Sequence, residues 1–180
     1  MRLLALVLFI GVVVFVLVMV RPILESMDRM RLQFCAENTK QIRLALFMYA
    51  NDCDGRLPLR ASLQDLAGNA WSQSGHITCS HWGPIGQYIK NACIFTCPSD
   101  PYNGRSDRFP APGISYVWRE SLAGKRADEL PDGTTMVWDR EPFHRGKRNV
   151  ALSGGRHDDN ESVVTFGGEP VPERIAVPKR

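Results

Sequence analysis

The chain has 180 residues, 44% of them hydrophobic and 23% charged, with a formal net charge of +3. That length suits one modest domain with enough apolar content to build a core. The charge is too small to argue for nucleic acid, and no Lys/Arg block with interleaved aromatics occurs, so no nucleic-acid partner is expected.

Residues 3–20 carry no charged or polar side chain, and Arg2 and Arg21 bracket them. Eighteen apolar residues rising about 1.5 Å each cover roughly 27 Å, near the hydrocarbon thickness of a bilayer. A cleaved secretory signal usually has a shorter run ending in small residues, whereas the exit here reads Val18-Met19-Val20-Arg21-Pro22. Residues 1–22 are therefore expected to be a retained transmembrane anchor, with the lipid bilayer as partner. Arg2 precedes the span while Arg21, Arg29 and Arg31 follow it, so the basic residues do not set an orientation. The five cysteines, Cys35, Cys53, Cys79, Cys93 and Cys97, lie behind this anchor. They fit disulfide bonding in an oxidising, extracytoplasmic compartment, and an odd number leaves one over.

After Pro22, apolar residues recur at Ile23, Met27, Met30, Phe34, Ile42, Ala45, Leu46 and Tyr49, mostly three or four apart. This spacing predicts one buried helical stripe on an amphipathic spine helix over 23–50. Asn51, Asp52 and Gly55 then end it, since Asn and Gly tolerate the left-handed conformation that closes helices. A globular α+β head is expected over 51–168. Its first part, 56–113, is rich in Gly, Pro, Asn and Ser, with short helical turns placed at 62–67 and 84–91. Four β-like runs follow at 114–118, 134–138, 149–152 and 162–166. Pro131-Asp132-Gly133 is a turn, Pro fixing one dihedral and Gly freeing another. Residues 154–161 read as a polar hairpin loop, and 169–180, with three prolines, as an irregular tail. The expected fold is α+β: a long N-terminal transmembrane and amphipathic helix packed on a small antiparallel β-sheet.

This plan resembles type IV pilin-like proteins, in particular the major-pseudopilin-like proteins of type II secretion. The residues that carry the resemblance are "CAENTKQIRLALFMYANDCDGRLP" at 35–58, "YIKNACIFTCPSD" at 88–100, "ISYVW" at 114–118 and "DRE…HRGKRNVAL" within 139–152. The resemblance implies a pilin-like fold and a single-pass protein of the inner membrane whose C-terminal domain lies outside the cytoplasm. It also implies other pilin-like subunits or secretion components as partners. The prepilin cleavage pattern is not matched: Gly11 lies inside the apolar run and residue 16 is Val, where that pattern has Glu. In the last hairpin, Ser153-Gly154-Gly155 stands where the family has a tight Asp-Gly turn.

Two sets of residues raise the question of a metal. Asp52 and Asp54, closely spaced around a turn, are hard oxygen ligands of the kind Ca²⁺ takes, but the Glu that completes a twelve-residue calcium loop is missing, and a helix-ending turn is the preferred reading. His157, Asp158, Asp159 and Glu161 form a second such cluster, for which an exposed hairpin loop is the preferred reading. Cys79, His81, Cys93 and Cys97 are the right ligand types for Zn²⁺, yet C-x-H and C-x3-C are not the spacings of a usual zinc knuckle, and disulfides account for the same cysteines. No G-x-S-x-G occurs, and His76, His81, His144 and His157 sit in polar, Gly-rich surroundings, so no catalytic residue is expected. Trp71, Trp82, Trp118 and Trp138 read as core or interface anchors. The leading reading is a non-enzymatic, membrane-anchored structural protein. The alternative is an anchored extracytoplasmic module that holds a metal or partner through its Cys- and His-containing 56–113 region.

Overall fold

A computed structural model describes residues 2–59, 83–101, 114–154 and 163–167. One helix, α1, runs unbroken over Arg2–Asp52, 51 residues that extend for about 77 Å. The apolar anchor and the spine are thus a single element. Pro22 lies inside it and has no N–H to give the carbonyl of Val18, so one hydrogen bond of the helix is missing there.

The NDCDG stretch closes the helix with its own backbone. The Gly55 N–H donates to the Ala50 carbonyl at 2.8 Å, across five residues, and Asp54 adopts φ +52° just before it. This is the six-to-one bond of a Schellman cap, with Asp54 at the left-handed position that glycine usually occupies.

Only the C-terminal part of α1 is covered by the head. Cys35, Thr39, Ile42, Ala45, Leu46 and Ala50 are buried along one face. The expected stripe is corrected here: Ile23, Met27, Met30 and Phe34 stand 59%, 41%, 49% and 63% exposed. Side chains at this spacing do share a face, but the head meets this stretch on another one, with Arg145 paired to Asp28 and Asn149 Nδ2 donating to the Leu32 carbonyl at 3.5 Å.

Four strands make an antiparallel sheet in the order β1 (Tyr116–Trp118), β2 (Thr135–Asp139), β3 (Lys147–Leu152) and β4 (Val163–Gly167). Each β-like run of the sequence is matched by a strand. β1 starts late because the Ser115 N–H donates to the Phe95 carbonyl instead of entering the ladder. Short 3-10 turns at Gly86–Tyr88, Ala92–Phe95 and Glu120–Leu122 fill in between. Residues 62–67 and 155–161 lie outside the described residues. The core forms where α1 meets the sheet, and joins Ile42, Leu46 and Ala50 to Phe95, Tyr116, Trp118, Met136, Val137 and Ala151.

Arg43 is buried in this seam at 4% exposure, its Nη1 donating to the Leu152 carbonyl at 3.0 Å and its guanidinium 5.9 Å from the Phe47 ring. Burial holds its pKa below the usual arginine value. No carboxylate among the described residues pairs with it, so its stem packs favourably while its charge is costly to bury. Arg43→Met is therefore expected to stay within about 1 kcal/mol of the parent. Arg43→Ala, which also empties the space, should lose about 2–3 kcal/mol in chemical denaturation. Equal losses would mean that the stem contributes no packing.

Two turns depend on glycine to different degrees. Gly146 has φ +78°, and a Cβ there would meet nothing within 4 Å. Gly154 has φ +84°, and a Cβ there would lie 2.7 Å from Cγ and 3.0 Å from Cα of Asp132. Gly146→Ala should cost only the left-handed strain, about 1 kcal/mol. Gly154→Ala adds a clash with backbone and is expected to cost about 2–3 kcal/mol. Thermal melts of the two variants side by side check the order.

Candidate functional site

Two features could carry function: the bare apolar rod, and the buried junction that fixes it to the head. α1 is long and apolar enough to cross a membrane, with a mean hydropathy of 2.8 in its most apolar window and none of that window buried. The side chains of residues 6–10 and 12–20 are exposed throughout. Water is a poor solvent for such a surface, and lipid or another apolar helix is a good one. Beyond Arg21, the exposed residues Ile23, Met27, Met30 and Phe34 continue at steps of four, three and four. That is the spacing of a helix-packing seam, and Glu25, Asp28, Arg29 and Arg31 lie beside it.

At the junction, Cys35 of α1 is bonded to Cys97, 62 residues on, and both are 0% exposed. The segment bearing Cys97 is stitched in from two sides. Its N–H donates to Ser115 Oγ at 2.9 Å, and Ser115 Oγ donates to Asp100 Oδ2 at 2.7 Å. From the helix, Asn38 Nδ2 donates to the Thr96 carbonyl and to Tyr116 Oη, each at 3.2 Å. Pro98 follows Cys97 and disfavours helical backbone there, which suits a bridge in an extended stretch.

Against the disulfide lies His144, its Nε2 3.5 Å from Cys97 Sγ and 3.6 Å from Asp139 Oδ2. A tight turn places the histidine. Arg145 and Gly146 take φ +52° and +78°, and the backbones of His144 and Lys147 bond reciprocally at 3.0 and 3.3 Å. Two central residues with positive φ make a type I′ turn, which matches the twist of the strands. Asp139, at the end of β2, is 0% exposed. Its Oδ2 accepts from the Asn149 N–H at 2.6 Å, and its Oδ1 has no hydrogen-bond partner among the described residues. Burial pushes the Asp139 carboxyl up to about 7, and burial holds the His144 imidazole below its ordinary value. Both shifts favour uncharged forms, so the His144–Asp139 approach is a contact of desolvated groups rather than a formed ion pair.

The sequence-derived candidates fall elsewhere. Asp52 is the last residue of α1, exposed, and its Oδ2 accepts from the Tyr88 hydroxyl at 2.7 Å. Asp54 is exposed and serves the cap, with its carbonyl accepting from Arg126 Nη1 at 3.4 Å. Cys93 is an exposed free thiol, whereas Cys97 is committed to Cys35; Cys79 and His81 lie outside the described residues. Cys53, also free, meets the Tyr49 hydroxyl and raises its pKa. Sequence reasoning did not bring Cys35, Asp139 and His144 together. The one available signal was that His144 and Asp139 belong to the segment that carries the pilin-like resemblance.

The chain matches no protein-family model, no curated protein and no solved structure.

Proposed function

We propose that this is a pilin-like, pseudopilin-like structural protein: an inner-membrane rod whose C-terminal head lies outside the cytoplasm and whose helix packs with helices of other subunits. One observation carries the reading. The apolar face of α1 does not stop where the bilayer would end but continues through Ile23, Met27, Met30 and Phe34, all exposed. A helix that needed only to be anchored has no use for a seam of this kind outside the lipid. Type II secretion or a pilus-like assembly is the setting that the resemblance implies. The buried disulfide supports the location, since such bonds persist in oxidising compartments.

Two measurements test separate halves of the proposal. In spheroplasts carrying Cys53→Ser and Cys79→Ser, a membrane-impermeant maleimide should label the exposed Cys93 without lysis. Labelling only after lysis would overturn the orientation. With Cys93→Ser and Met27→Cys added, mild oxidation should give a disulfide-linked dimer through the seam. Persistence of the monomer alone would overturn subunit packing while leaving the orientation intact.

A further inference from the structure

The Cys35–Cys97 junction has an arrangement that a structural disulfide does not require. Cys35 Sγ, Cys97 Sγ and a His144 ring nitrogen lie within 4.8 Å of one another, and all three residues are buried. A cation of the zinc class binds thiolate sulfur at about 2.3 Å and imidazole nitrogen at about 2.0 Å, so tetrahedral ligands of these types stand about 3.5 Å apart. The Cys97 Sγ to His144 Nε2 separation is 3.5 Å. Asp139 Oδ2 stands 3.6 Å from the same nitrogen, beside this three-residue set rather than within it. A cleft of about 260 Å³ between α1 and the His144 turn reaches this cluster, with His144 and Ser99 in its lining. The Ser99 N–H lies 3.4 Å from Cys97 Sγ.

We propose that the reduced form of this junction is a site for a thiophilic divalent cation of the zinc class, held by Cys35, Cys97 and His144, with water from the adjoining cleft at the fourth corner. The sulfur–sulfur bond and the cation are alternative occupants of the same side chains. A thiol reductant opens the bond: two electrons and two protons pass to the two sulfurs as the reductant closes to its own disulfide. On binding, the cation displaces the two thiol protons to water, and His144 enters as neutral imidazole through Nε2. Before oxidation, the metal would then hold the rod and head in the same register that the disulfide later locks. The inference rests on this geometry alone and does not depend on subunit packing or membrane orientation.

The test uses the full-length protein in detergent, with Cys53→Ser, Cys79→Ser and Cys93→Ser to remove competing thiols. It is reduced anaerobically with a phosphine, which becomes its oxide by taking oxygen from water while the two hydrogens go to the sulfurs. Titration with Co²⁺ should give one equivalent per chain, with sulfur-to-metal charge transfer and the intense d–d bands of a tetrahedral ion, all abolished by Zn²⁺. The unreduced protein should give none of these. His144→Ala should abolish the tetrahedral spectrum. Zn²⁺ should also raise the melting temperature of the reduced protein, or refold it if reduction has unfolded it. Undiminished cobalt binding in His144→Ala would overturn the proposal. So would equal binding by the oxidised protein, or a reduced protein that neither binds nor regains structure with Zn²⁺.

Discussion

Cys35→Ser is expected to destabilise the head by about 4 kcal/mol, the chain-entropy value for a bridge that spans 62 residues. For a protein of this size, that corresponds to a melting temperature about 8–16 °C lower. The effect should be this large because the bond joins α1 to a stretch with little regular structure, and without it the reduced chain gains many conformations. Cys97→Ser should cost the same, and the double variant no more than either single one, because both remove one interaction. Cys93→Ser should be neutral, since that thiol is exposed and unbonded. Thermal melts with and without reductant decide the matter. A loss under 1 kcal/mol would mean that the hydrogen bonds from Asn38 and Ser115 already hold the junction.

The second large effect is expected at Trp118. It is the largest of the fully buried side chains, 1% exposed, and lies in β1 opposite Val137. Trp118→Ala should cost about 3–5 kcal/mol, through lost burial together with a cavity that the sheet cannot close. Trp118→Phe should be far milder, under about 1.5 kcal/mol. The indole Nε1 finds no hydrogen-bond partner among the described residues, so removing that donor relieves a buried polar group and breaks no bond. Chemical denaturation followed by the remaining tryptophans gives both values. If Phe proves as costly as Ala, the indole nitrogen has a partner that its surroundings do not reveal.

The elements were legible where local chemistry decides them. An uninterrupted apolar run and spaced apolar residues specify α1; alternating, β-branched and aromatic residues specify the four strands. Pro131-Asp132-Gly133 does turn as its chemistry requires, the Thr134 N–H donating to the Pro131 carbonyl at 3.1 Å and Gly133 at φ +76°. Asp54 shows the limit of such reading. Gly55 takes a left-handed φ of +77° as expected, but Asn51 stays helical and Asp54 is the first residue to turn left-handed, because the cap is set by which N–H reaches the Ala50 carbonyl. The stripe over 23–34 was misread as buried for a related reason. Periodicity reveals a face and not what covers it. The grouping of Cys35, Cys97, His144 and Asp139 is not written in any local pattern. Its members come from α1, an irregular stretch and both sides of a turn, and only tertiary folding brings them together.

The position of the disulfide has a mechanical consequence. A pull between the apolar N-terminal end of α1 and the sheet would enter the covalent link at Cys35 and leave at Cys97. Residues 36–96 lie off that covalent path, and those of α1 among them take load only through their packing on the sheet. Along the covalent path the polypeptide between the bonded sulfurs is thus bypassed, and Cys97 cannot be drawn away from α1 without breaking a covalent bond.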